Sequence, residues 1–476
     1  METSRMKNLL VVIFFTMVIL GVLIGCAATP ESASPALPAD NTNVAQQEDT
    51  GDPVVERTPQ NLVLWHSMTA NSGVVLDELI AKFNETVGTE LNINVEAIFQ
   101  GSYADSSAQL RILLETGNTT ALPDISQIDA TGMIDIKDSP YLARASAFAT
   151  ADPDFDISQI HQVMLNNITY MDELLGMPFA ISMIVMYYNR DMLNEAGFDA
   201  PPSTLADMAE MLPALTQVNA DGSVDIYGFA LSPATPTIQS WIGQQNEVSF
   251  IVDNRNGRAG DPTRVVFDEE GTMAVFLNEW RNLHATGGLR HIEGNTMEEF
   301  TAERIAMMVG SSSNIAPMLR AIDGRFDLGV AFFPRVNEQA SYGATQGGSS
   351  LFMFDKNDPD RTTAAWEVLK FLASDEVQAQ WSAGTGYFAV NVGSPEFAIY
   401  QDNLEMYPQF GVVVQQLYAT HADMQGIWIP SSFQVFTEFR NGVISMIEND
   451  RSVEETINDL AITINDILDE FHLLNR

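Results

Sequence analysis

The stretch from Asn61 to Phe99 constrains the fold more than any other. "NLVLW" at 61–65 is a short apolar run of buried-strand type. Val75, Leu76, Leu79, Ile80 and Phe83 then recur at helical spacing, and "NINVEAIF" at 92–99 alternates with a period of two. Strand, helix and strand in this order make a βαβ unit, which points to α/β architecture. Later segments continue the mixture. "ISMIVMYYN" at 181–189 and "SLFMF" at 350–354 read as buried strands, and Val275–Leu283 reads as a helix. A second helix follows through "TTAAWEVLKFLAS". Near the C-terminus, Ser452 with Glu455 three residues later marks a helix start. Ile457, Leu460, Ile464, Ile467, Phe471 and Leu474 line one face of that helix.

The chain holds one cysteine, Cys26, and the body after it holds none. Disulfides therefore do not hold this fold. It rests on an ordinary hydrophobic core, and the chain is long enough for two domains. Cys26 sits where secretion chemistry would use it. Arg5 and Lys7 precede an apolar run from Leu9 to Ile24, and Leu23-Ile24-Gly25-Cys26 fits the bacterial lipobox. Residues 1–25 then read as a lipoprotein signal peptide, with Cys26 acylated and left as the new N-terminus. The alternative is an uncleaved signal anchor, since the run approaches the length of a membrane span. Both place the body outside the cytoplasm. Residues 26–60, rich in Pro, Ala, Ser, Thr, Asn and Asp, read as a disordered tether.

The formal net charge is −40, from 63 acidic and 23 basic residues. Such a field repels nucleic acid and anionic lipid. Catalytic patterns are missing: there is no G-x-S-x-G and no H-E-x-x-H. His284, His291 and Glu293 fit no standard metal spacing and read as surface residues beside the "TGG" turn. "NADGSVD" at 219–225 lacks the calcium-loop continuation, and its Asp-Gly reads as a hairpin turn. No cofactor or metal is expected.

Several stretches then match one family in its own order. They are "LWHSM" (64–68), "FQGSY" (99–103), "LETGNTTALPDI" (114–125) with "QIDATG" after it, and "MPFAISMIVMYYNRDMLNEAGFDAPPSTLADM". "FTAERIAMMVGSSSNI", "GGSSLFMFDKNDPDRTTAAWEVLKFLASDEVQAQW" and "GTGYFAVN" complete the set. The chain resembles the extracellular solute-binding proteins of ABC importers, of the sugar-binding type, and within them the glycerol-3-phosphate-binding branch. The likeness runs from about Asn61 to Asn391, and more loosely beyond.

The resemblance implies a type II-like periplasmic-binding-protein fold, with two α/β lobes, hinge-crossing strands and a ligand cleft between the lobes. Lobe one would be 61–180 plus 347–390, and lobe two 181–346 plus 391–476. Crossings are expected near Phe179–Ser182, near Thr345–Gly348 and after Tyr387. Carried over position by position, the ligand site would draw on Tyr103, Asp129, Ser182, the serines Ser311, Ser312 and Ser313, Gly348 and Tyr387. Trp65, Trp241 and Trp428 are added as aromatic candidates. Trp428 stands where the branch has a phosphate-binding arginine, and its paired cleft tryptophans align with Pro233 and Pro236. A ring suits a sugar face, whereas an arginine suits a phosphate. The expected ligand is thus a neutral mono- or oligosaccharide, with glycerol-3-phosphate or a glycerophosphodiester as the alternative. The implied protein is not an enzyme but a lipid-anchored, monomeric binder that serves ABC permease subunits from the outer face of the cell membrane or the periplasm. An exported glycoside hydrolase and a partner of a sensor ectodomain are the competing readings.

Overall fold

Thirteen residues, Met177–Asn189, form the strand around which the rest of the sheet is arranged. All of them are buried except Ile184, which is half-buried. A continuous apolar run of this kind is what a strand covered on both faces requires. The computed structural model describes residues 58–474 apart from 232, 234 and 293–295. The signal segment, Cys26, most of the tether and Glu293 lie outside the described residues.

The expected βαβ unit is present. Gln60–His66 pairs in parallel with Ile93–Phe99 across helix Ala70–Glu85, which buries Leu76, Leu79, Ile80 and Phe83. Gln60–His66 also pairs in parallel with Ile125–Asp129, and that strand lies antiparallel to the return strand Gln346–Phe354. Among the described residues one eleven-stranded sheet results. Its main path runs through Leu289–His291, Val224–Leu231, Ile305–Ser311, the crossing strand Met177–Asn189, the return strand, Ile125–Asp129, Gln60–His66 and Ile93–Phe99.

The crossing strand changes partners along its length. Its first half, Met177–Met183, pairs with the return strand, and its second half, Ile184–Tyr188, pairs with Ile305–Ser311. Leu328–Ala331 borders the second half on Met186–Asn189. Phe388 donates its N–H to the Ile181 carbonyl at 2.8 Å, which brings a third segment to the changeover point. Gly348 stands there at φ +91, next to a register shift between Ser349 and Ser350. A Cβ at Gly348 would run into the carbonyl oxygen of Ala180, so the two crossing backbones meet as closely as they do because this residue has no side chain.

Other sequence expectations resolve into local structure. The Asp221-Gly222 turn joins Gln217–Val218 to Val224–Leu231 as an antiparallel hairpin, with Gly222 at φ +85. Ser452 and Glu455 form the reciprocal cap of helix Val453–Leu474. That helix buries Leu460, Ile464 and Ile467, but Leu474 at its end is 76% exposed. Asp124, from the Pro-Asp segment, is buried. It accepts the Val63 N–H at 2.8 Å and pairs with Arg361, so it ties the first strand to the helix that follows the return strand.

Candidate functional site

Where the crossing strand changes partners, the sheet cannot close evenly, and a cavity of about 450 Å³ opens there. That size suits a small molecule. Ser182, Met183 and Ile184 of the crossing strand line it, with Thr345 just before the return strand and Gly347 and Gly348 within it. Val309, Gly310, Ser311 and Ser313 come from the end of the neighbouring strand and the turn after it. Tyr103, Tyr387, Pro236, Thr237 and Thr296 complete the lining. No charged side chain is among these described residues.

Six sequence candidates therefore meet around one space: Tyr103, Ser182, Ser311, Ser313, Gly348 and Tyr387. Tyr103 opens helix Tyr103–Thr116, which Ser102 and Asp105 cap reciprocally. This cap sets the direction in which the tyrosine leaves the helix. Its hydroxyl is 3.0 Å from Ser349 Oγ. Burial, and then the neighbouring Tyr387, push its pKa well above the usual phenol range, so it stays a neutral donor. Tyr387 stacks on Trp381 with centroids 5.7 Å apart and planes 8° from parallel, and Trp381 stacks in turn on Phe179 at 4.5 Å. Burial raises the Tyr387 pKa too, opposed by hydrogen bonds with Tyr103 and Ser313. Ser311 Oγ lies 2.9 Å from Ser313 Oγ, and Tyr187 donates to the Ser311 carbonyl at 2.6 Å.

Asp129 and Trp428 lie in a narrow adjoining crevice that shares Gly348 with the cavity. Thr131 Oγ1 donates to the Asp129 carboxylate at 2.8 and 3.0 Å. Burial raises the Asp129 pKa, and these hydrogen bonds oppose the shift. The Trp428 indole is buried, and its Nε1–H has no hydrogen-bond partner among the described residues.

The remaining candidates are placed elsewhere. Trp241 is buried against Phe276 and Phe333, and its Nε1 donates to the Pro334 carbonyl at 3.1 Å. Pro236, five residues earlier, lines the cavity instead. Ser312 is fully buried, and its hydroxyl accepts the Met183 N–H at 3.2 Å, so it anchors the crossing strand. Trp65 packs half-buried against the core and does not reach the cavity. Sequence reasoning missed the apolar floor of Met183, Ile184 and Val309. Residues so placed look like ordinary strand interior until their strand is known to change partners.

The family model described as bacterial extracellular solute-binding protein matches residues 78–411, and the chain belongs to that family. Among curated relatives, the sn-glycerol-3-phosphate-binding periplasmic protein UgpB of Yersinia enterocolitica is 24% identical over 363 residues, covering 74% of this chain and 79% of the relative. Among solved structures, the sugar-binding protein MalE of Xanthomonas citri superposes with a TM-score of 0.71 at 18% identity, over 87% of this chain and 99% of that one. UgpB of Mycobacterium tuberculosis, solved with glycerophosphocholine, gives 0.69 at 21% identity over 87% and 99%. The fold is the two-lobed α/β fold of these binding proteins.

Proposed function

We propose that this chain is the lipid-anchored solute-binding component of an ABC importer and that it captures a neutral mono- or oligosaccharide. The observation that carries the ligand reading is the lining of the cavity: tyrosines, serines and threonines over an apolar floor, with no charged side chain among the described residues. Hydroxyls and aromatic rings match the alternating C–H and O–H faces of a sugar. A phosphate would call for a bidentate cation. The relatives named for glycerol-3-phosphate keep a phosphorylated polyol as the second reading. The nearby arginine, Arg258, speaks against it, because its terminal nitrogens already donate to the carbonyls of Asn256, Gly426 and Asn167.

Tyr103, Asp129, Ser182, Ser311, Ser313, Gly348, Tyr387 and Trp428 are the proposed ligand contacts. The lobes are residues 61–180 with 347–390 and 181–346 with 391–476, and a hinge about the crossing segments closes them on ligand. The closed monomer then docks on the permease, with Cys26 carrying the lipid and the following residues acting as tether. A thermal-shift panel of sugars, polyols and their phosphates tests the reading. Stabilisation by a neutral sugar is expected. Stabilisation by glycerol-3-phosphate or glycerophosphocholine alone overturns the ligand assignment.

A further inference from the structure

Away from the cleft, two histidines that the sequence left as scattered surface residues are brought ring to ring. His284 lies at the end of helix Thr272–Ala285, and His291 ends strand Leu289–His291. Gly287, at φ +72, turns the chain between them. The two Nε2 atoms are 2.7 Å apart, and the rings meet edge to face with centroids 4.5 Å apart. One indole holds both rings. Trp280, fully buried one turn before His284, stacks on His291 at 5.2 Å and 16° and meets His284 edge-on at 4.8 Å.

Two neutral imidazoles in this pose share a single N–H···N bond, and that bond requires one specific tautomer pair. A metal ion between the rings would use both lone pairs at once. Burial pushes both pKa values down, His284 to about 4 with His291 as a second cause, so both rings are unprotonated near neutral pH. Glu448 acts on His291 in the opposite direction.

We infer that His284 and His291 form a binding site for one divalent transition-metal ion of the imidazole-preferring class, Zn(II), Ni(II) or Cu(II). Metal–nitrogen bonds of about 2.0–2.1 Å in tetrahedral geometry place the two nitrogens about 3.3 Å apart, so the rings need to part by about 0.6 Å. Among the described residues no group of three His, Cys, Asp or Glu side chains gathers, so water completes the coordination. The bound ion ties the end of the helix to the sheet edge.

The test uses tag-free, full-length protein stripped with a chelator and titrated with ZnCl2 and NiCl2 by calorimetry. One ion per chain is expected, with a Tm increase that EDTA reverses. His284→Gln and His291→Gln should each weaken binding at least tenfold while sugar binding is retained. Unsaturable binding, or equal affinity in the double variant, overturns the site. Histidine-ring NMR of the unaltered protein provides a readout that does not depend on variants folding. Zn(II) should shift two rings, and shifts confined to His66, His161, His421 and His472 would also overturn it.

Discussion

The guanidinium of Arg258 lies 4.1 Å from the ring centroid of Trp428, and the two side chains bury each other. The segment that delivers Arg258 is a left-handed turn: Asn254, Arg255 and Asn256 have φ of 52, 54 and 53, and Gly257 has 83. Such a run costs roughly 1–2 kcal/mol for each non-glycine residue. Its surroundings hold it in place. Asn256 Oδ1 accepts the backbone N–H groups of Ile251 and Val252, and its carbonyl accepts the backbone N–H of Trp428 at 2.9 Å. A Cβ at Gly257 would run into the Trp428 carbonyl. Trp428, one of the proposed ligand contacts, is thus backed by an arginine from another segment.

Arg258→Met should therefore unfold more easily than the unaltered protein, by at least about 2 kcal/mol. It removes the cation over the ring and leaves the carbonyls of Asn167, Asn256 and Gly426 short of donors. Urea unfolding measures this, and an unchanged midpoint would show that the stack is dispensable.

Tyr103→Phe and Tyr387→Phe should each weaken sugar binding by about 1–2 kcal/mol, roughly 5- to 30-fold. Each keeps its ring, and Tyr387→Phe keeps the stack on Trp381. Calorimetric titration with the sugar found in the panel separates this loss from any change in Tm. Equal affinity in both variants would remove the hydroxyls from the site.

Asp129→Asn should stabilise the unliganded protein near neutral pH while weakening ligand binding. The folded-state pKa of Asp129 is raised by burial. The folded chain therefore holds this proton more tightly than the unfolded chain does. Stability from the group is full below the unfolded carboxylate value and is lost as pH rises through the raised folded value. The asparagine variant lacks that loss, so the Tm difference between the two proteins should grow as pH climbs from about 4 and then level off. A difference that does not vary with pH would contradict the shift.

Gly348→Ala should cost more than about 2 kcal/mol, since neither φ +91 nor the contact with Ala180 admits a side chain. Denaturant unfolding reads the loss. A variant of normal stability would mean that the crossing backbones have room to part.

Cys26→Ala should shift the protein from the membrane fraction of its host to the soluble or unprocessed pool, read by fractionation and mass spectrometry. Retention in the membrane with a mass free of lipid would favour the uncleaved anchor.

The sequence alone determined the local layers of this protein. The βαβ start, the apolar run of the crossing strand, the cap at Ser452 and the Asp-Gly hairpin follow from patterns a few residues long, because side-chain period and capping act over one or two turns. The resemblance also supplied six residues that meet around one cavity. Tertiary structure decided the rest. Whether an indole faces a ligand or a core depends on partners far along the chain. Trp241 is held by Pro334 and Phe276, Ser312 by Met183, and Pro236 lines the cavity. His284 and His291 are only seven residues apart, and their rings meet because the Gly287 turn folds a strand edge back onto the end of a helix. The placements of Trp241 and Ser312 are set by packing between distant segments, and no local period in the sequence encodes any of these pairings.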